Sequence, residues 1–359
     1  MRVRFGPVRI RPYPWAMPCP PGSNGIDGAI TRHGPLGLRA IALLVLASLA
    51  LLVGGSPTPA LAAATDATLP KPASTQDSTT DAAEKPLRVA VIGASASAGF
   101  GCVFREKRDD GDYAGSFRLI DMVRLACPDL RLVTSDMSSG FFFLSPIANG
   151  EKAATRARDF KPDCVIALDF LFWYCYGDDA PGGGAITDES QRLAKLELGL
   201  KQLEAFSVPV LVGDIPDMSR AVGKMLSAAQ MPSAATLRKA NARFNEWAKG
   251  RANVRIVPLA NMQQQLSEEN ALDIGGTRLE SKPDAPLLQS DELHPAPHGM
   301  AGIACAVASE LKQAVGSERI AAEAKDCEPE PVGTVERARG ELKPSRRPAP
   351  AAKPADSAK

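Results

Sequence analysis

Histidine is scarce in this chain, three in 359 residues, and one of them, His33, lies upstream of its longest apolar run. Chemistry in the main body that needs an imidazole near neutral pH therefore rests on His294 or His298. Charge of one sign is also missing. With 42 Lys and Arg against 41 Asp and Glu, no extended field suits nucleic acid or an acidic partner. The seven cysteines include no C-x-x-C pair and no His/Cys cluster at ligand spacing, so no zinc motif is present and no metal or organic cofactor is indicated. The apolar run itself, about 13 residues from Ile41 to Val53, falls short of the roughly 20 that a membrane span needs.

That run lies in "LRAIALLVLASLALLVGGSPTPALAAATDA", residues 38 to 67. Arg32 and Arg39 precede it, and a proline-containing stretch with Ala60, Leu61 and Ala62 follows. This is the n-region, h-region and small-residue cleavage pattern of a secretory signal. Residues 1–64 are read as the signal region, with the mature N-terminus near Ala62 to Ala64 and an uncleaved anchor as the alternative. A periplasmic or secreted location follows, without stable membrane insertion after cleavage. Residues 65–85 and 328–359 carry Pro, Ala, Lys and acids with almost nothing large and apolar. Such composition buries too little surface to offset its ordering entropy, so both are expected to be disordered. Signal removal leaves Cys102, Cys127, Cys164, Cys175, Cys305 and Cys327. In an exported chain an even number predicts disulfides of unspecified pairing; the alternative is burial as small apolar side chains.

Residues 86–327 suit one domain. Strand-like runs at 87–93, 130–135, 164–169, 208–214 and 254–259 alternate with amphipathic stretches. One of these has Leu193, Leu196, Leu200 and Leu203 on a face, with Asp188 and Gln191 placed as a capping box. Continuous apolar strands separated by such helices predict a parallel sheet of about five strands covered on both faces. Ligands of such sheets bind beyond the carboxyl ends of the strands.

The first strand runs into "VIGASASAGFG", residues 91 to 101. It has no Gly-Lys-Ser/Thr ending and no G-x-G-x-x-G spacing, which argues against a phosphate loop. What it offers is Ser95, in a tight turn expected to lead into a helix whose first amides can hold a negative oxygen. A base for that serine is sought in "SDELHPAPHGMAGIA". There Asp291 precedes His294 by three residues, close enough to accept one ring proton and leave the other nitrogen for the serine.

Together, "VIGASASAGFG" and "DELHPAPHG" resemble the SGNH hydrolases, the GDSL esterase and lipase family, whose first block reads Gly-Asp-Ser-x-x-x-Gly and whose last reads Asp-x-x-His-Pro-x-x-x-Gly. The resemblance covers residues 86 to 315. It implies a three-layer α/β/α, flavodoxin-like sandwich, with Ser95 as nucleophile, His294 as base and Asp291 as its orienter. His298 falls in the variable part of the last block and reads as a rim or capping residue. "MSSGFFF" looks like the second block, which makes the amides of Ser95 and Gly140 oxyanion donors. Two departures stand out: the first-block aspartate is Ala94, and the third-block asparagine is absent from "DFLFWYCYGD", residues 169 to 178. A substitute donor is expected from Trp173, Tyr174 or Tyr176, while Asp169, ionised, reads as a structural acceptor at the strand end.

Of the aromatic residues (12 Phe, 4 Tyr, 3 Trp), Phe141, Phe142, Phe143, Phe170, Phe172, Trp173, Tyr174 and Tyr176 fall in the two stretches that follow strands two and three. They read either as core or, for Phe141, Phe142, Phe143, Phe172 and Trp173, as a wall for an acyl chain or a sugar ring. The expectation is an exported serine esterase acting on a small-molecule, glycan or lipid ester. The alternatives are an envelope binding or assembly protein with little catalysis, and an acyltransferase.

Overall fold

The computed structural model describes residues 85–316 and 328–345. The signal region, the segment 65–84, Cys327 and residues 346–359 lie outside the described residues. In chain order the elements are strand β1 (Leu87–Val91), a hairpin of β2 (Val103–Arg108) and β3 (Gly111–Ser116), helix α1 (Leu119–Ala126), β4 (Leu132–Asp136), α2 (Pro146–Asp159) and β5 (Cys164–Ala167). They continue with the single turn α3 (Phe172–Cys175), α4 (Ser190–Leu203), β6 (Val210–Gly213), α5 (Ala234–Lys249), β7 (Val254–Val257), α6 (Leu259–Gln264), a second hairpin of β8 (Ala271–Ile274) and β9 (Thr277–Glu280), and α7 (Pro297–Val315). Helix α8 (Pro331–Gly340) and the two-residue β10 (Lys343–Pro344) follow.

The expected parallel sheet is present, in the order β4-β1-β5-β6-β7 with every pairing parallel. Counted along the chain, its strands run 2-1-3-4-5, the flavodoxin-like order. Apolar content tracks position in the sheet: every residue of the inner strands β5 and β6 is buried, whereas the edge strands β4 and β7 are half-exposed. Period-two alternation sends Val89 and Val91 of β1 into one core with α1 and α7, and Ala90 into a second core with α2, α4 and α5. The result is three layers, α/β/α. Burial of each Val, Ile or Leu side chain contributes about 1.5–3 kcal/mol. Helix starts are fixed locally: Asp188 Oδ1 accepts the Ser190 amide at 2.6 Å and Gln191 Oε1 that of Asp188 at 3.2 Å, while Ser233 Oγ accepts the Thr236 amide at 3.2 Å.

Two expectations are corrected. No helix follows the Ser95 turn. Residues 95–101 close on themselves, with Ala98 N–H donating to Ala94 and Phe100 N–H to Ser95, and lead directly into β2. The tail is ordered as far as residue 345: α8 packs on α7 and α1, and β10 pairs with β3. Of its apolar groups, Pro331, Val335, Ala338 and Leu342 are buried while Val332 stays exposed, and Arg337 donates to the Leu125 carbonyl at the end of α1. No disulfide joins two of the described cysteines, and the expectation as it concerns Cys327 lies outside the described residues. Cys102, Cys164 and Cys175 sit in the core as small apolar side chains, and burial raises all three thiols, Cys102 and Cys175 to about 12.

Candidate active site

The turn after β1 is held from below by one carboxylate. Asp169, buried just past β5, accepts Ala94 N–H at 2.9 Å and Ser97 Oγ–H at 2.6 Å on Oδ1, and Ala96 N–H at 2.9 Å and Ser97 N–H at 3.2 Å on Oδ2. Residue 93 has to be glycine, because a Cβ there would lie 2.3 Å from Asp169 Oδ1 and 2.6 Å from Ser97 Oγ. Gly99, at φ 73°, is left-handed and approaches the Phe117 carbonyl, which a Cβ would meet at 2.1 Å. Asp169 is thus the structural acceptor expected from the sequence, and its four bonds fix the direction of the Ser95 side chain.

Ser95 Oγ lies 2.8 Å from His294 Nε2, and His294 Nδ1 lies 2.8 Å from Asp291 Oδ2. Asp291 Oδ1 also accepts the amides of Leu293 and His294, both at 3.0 Å, so the acid and the base sit on one closed turn. Partial burial would raise the Asp291 carboxyl, but the bonds from the His294 ring and the two amides outweigh it and hold the group below the ordinary carboxylate value. An ionised carboxylate at Nδ1 fixes the tautomer: Nδ1–H donates to Asp291, and Nε2 is left to accept from Ser95. Glu292, between acid and base, is left-handed at φ 57°. Its carboxylate meets Arg220 at 3.3 Å and Lys224 at 3.2 Å. Gln289 Nε2 donates to the carbonyls of Phe100 and Pro295, joining the serine turn to the histidine turn, and the Phe100 ring lies 4.5 Å from that of His294.

Two main-chain amides around the serine carry no hydrogen bond among the described residues. From Ala94 to Phe100 every N–H is engaged except that of Ser95, and around β4 those of Ser138, Ser139 and Phe141 are engaged while that of Gly140 is not. Unengaged amides in such a position are free to donate to an oxygen beside Ser95. Ser95 and Gly140 are the two residues whose amides the sequence pointed to.

Ser95 opens onto two cavities. The inner one, about 40 Å³, is apolar and lined by Leu168, Phe172, Met218, Leu259, Met300 and Ile303 among others. The outer one, about 110 Å³, is lined by Gly140, Phe143, Trp173, Met225, Gln230 and His294 with Phe100 and Leu293. Phe172, Phe143 and Trp173 therefore stand where a substrate wall was expected. Phe142 does not: it is buried in the core against Phe170 and Tyr174. Phe141, 71% exposed, lines neither cavity. Tyr174 and Tyr176 are likewise corrected as substitute donors. The Tyr174 hydroxyl is committed to Gln202 and that of Tyr176 to the Pro216 carbonyl at 2.7 Å, and burial raises both. Trp173 alone of the three lines the cavity with Ser95, and its indole N–H has no hydrogen-bond partner among the described residues.

His298 lies outside both cavities. It meets Phe104 of β2 edge-on at 5.6 Å, and burial and Arg339 lower its imidazole. Gln289, Glu292 and Gln230 were missed in the sequence. For Gln230 the available signal was the Ser227-Ala-Ala-Gln230 spacing, which marks a cap and not a pocket.

No protein-family model and no curated protein matches the chain. Among solved structures it is similar to a gut microbial diltiazem-metabolizing enzyme (11% identity, 65% of this chain and 47% of that one, TM-score 0.40), so it spans about half the length of that protein. It is also similar to a psychrotrophic esterase from Pseudoalteromonas (12% identity, 63% of this chain and 97% of that one, TM-score 0.38). A third is an acetylxylan esterase from Geobacillus stearothermophilus (14% identity, 65% of this chain and 96% of that one, TM-score 0.37).

Proposed function

We propose that this chain is an SGNH-type serine esterase that hydrolyses a carboxylic ester through an acyl-serine intermediate. The observation that carries the reading is the continuous relay from Ser95 Oγ through His294 to Asp291, with both contacts at 2.8 Å, next to the unengaged amides of Ser95 and Gly140. Ser95 Oγ attacks the ester carbonyl carbon as its proton passes to His294 Nε2. The carbonyl oxygen, now negative, is held by the two amides, with the Trp173 indole N–H as the third donor in place of the asparagine. His294 then returns the proton to the departing alcohol oxygen, leaving acyl-Ser95. Water attacks the acyl carbon, gives its proton to His294 and releases the acid, and the proton goes back to Ser95.

The small apolar inner cavity suits the acyl group, and the outer cavity the alcohol. An O-acyl group on an envelope glycan or a lipid ester fits this division. The signal pattern before residue 65 supports export. Among the described residues no helix is long and apolar enough to cross a membrane. A fluorophosphonate probe tests the reading: it should label Ser95, labelling should vanish in Ser95→Ala, and a wild-type protein that neither reacts nor turns over short acyl esters would overturn it.

A further inference from the structure

Two cations of α4 are buried and take no part in this chemistry. Arg192 is 3% exposed and Lys195 fully buried. Lys195 donates to the carbonyls of Tyr176 and Asp179, both at 3.0 Å. Arg192 pairs with Glu189 and donates to the carbonyls of Cys175 and Gly177 on one loop and of Ala229 and Gln230 on another. A third tie joins the same loops, Gly177 N–H to the Gln230 carbonyl at 3.0 Å. A guanidinium is buried only where fixed acceptors replace its water. Here that requirement locks the turn 227–230 against the chain leaving α3. Trp173 from α3 and Gln230 from the turn both line the outer cavity with Ser95.

The Gln230 carboxamide is itself oriented. Its Oε1 accepts the Ser227 amide at 3.0 Å, and since a main-chain N–H can only donate, the atom it meets is the oxygen. Nε2 is then the free end, with no hydrogen-bond partner among the described residues. Apart from the catalytic pair and the Trp173 N–H, it is the only polar side-chain group in the lining of that cavity.

Resting on the esterase reading, we propose that Gln230 determines specificity for the alcohol half of the substrate. Its Nε2–H donates to a hydroxyl or ether oxygen next to the ester, and Arg192 is the positioning residue for its turn. The favoured substrates are acyl esters of polyhydroxy alcohols, such as glycerol or a sugar, over esters of plain alkyl alcohols. A lipid tail or an alkyl alcohol leaves the donor unmatched. A sugar or glycerol hydroxyl meets it while the carbon skeleton lies on Trp173 and Phe143.

The test compares glycerol monoacetate with propyl acetate as substrates of the full chain and two variants. Gln230→Leu removes the donor. Gln230→Glu removes it too but keeps an oxygen for the Ser227 amide, so the turn stays capped. Both variants should lower the ratio of kcat/KM on glycerol monoacetate to that on propyl acetate by about 3- to 10-fold, the worth of one hydrogen bond. Arg192→Met should lower the same selectivity ratio below its melting temperature. Retained wild-type selectivity in either Gln230 variant, or an equal fall on both esters, overturns the assignment. Failure of the esterase reading looks different: the wild type would then hydrolyse neither ester.

Discussion

Asp169 accepts a hydrogen bond from the Ser97 hydroxyl at 2.6 Å, two residues beyond Ser95 on the same turn. Three amides of that turn point at the same carboxylate, so the geometry of Ser95 depends on a residue 74 positions further along the chain. In Asp169→Asn the new amide hydrogens face N–H donors. A loss of about 3 kcal/mol in urea unfolding is expected, with a fall in kcat even where the variant is folded. Unchanged stability would mean that the turn holds itself.

For the triad, Ser95→Ala should abolish ester turnover while leaving unfolding stability within about 0.5 kcal/mol, since the serine contributes little packing. Asp291→Asn should lower kcat on the order of 10⁴-fold by favouring the wrong imidazole tautomer. Steady-state kinetics on a chromogenic acetate reads both.

Trp173→Phe keeps the ring and removes the N–H. If the indole replaces the missing asparagine, kcat should fall by about 10²- to 10³-fold with little change in KM. The matching Tyr174→Phe and Tyr176→Phe should leave kcat close to wild type, because their hydroxyls are engaged elsewhere.

Leu342, just before β10, is buried and lies close to Gly115 of β3. Leu342→Ala should destabilise the domain by about 2–4 kcal/mol. A detached tail would show no change.

Burial and Arg339 lower the His298 imidazole, so the folded state favours its neutral form. The unfolded chain then binds the proton more readily. The stability from neutral His298 is therefore complete above the ordinary imidazole value and declines as pH falls through it. Urea midpoints measured from about pH 8 to 5 should drop, and His298→Phe should flatten that slope. Glu189 acts in a lower window. Burial opposes its ionisation, but bonds from Thr236, Ser233 and Arg192 hold it near 2, so its contribution is present above 4.5 and fades as pH falls toward 2.

The parallel sheet was legible because inner strands buried on both faces must be apolar throughout, and β5 and β6 are. The contacts of His294 with Ser95 and Asp291 were legible because the chain offers almost no histidine and Asp291 stands three residues before this one. The hairpin β2–β3 was not. "VFREKRDDGDYAGS" is charged on both sides, with only Phe104 fully buried, so neither period-two nor helical patterning shows. The tail hid for the same reason, since scattered apolar residues such as Val335, Ala338 and Leu342 give no periodic signal until a partner surface is known. Gln230 was invisible because its role depends on a loop contact made by Arg192, 38 residues earlier. The cysteine count left two readings open, and Cys102, Cys164 and Cys175 follow the second, as small apolar side chains of the core.

The pairing of β10 with β3 has a consequence for synthesis. Arg108 of the first hairpin donates to the Arg339 carbonyl, 231 residues downstream, and among the described residues the outer edge of β3 is closed by Lys343, Pro344 and Ser345. On a ribosome that adds about 5–20 residues per second, the hairpin next to the nucleophile waits for nearly the whole domain to emerge before its sheet is complete. Full-length chains should therefore gain protease resistance at this hairpin in a final step, after the five parallel strands have already docked.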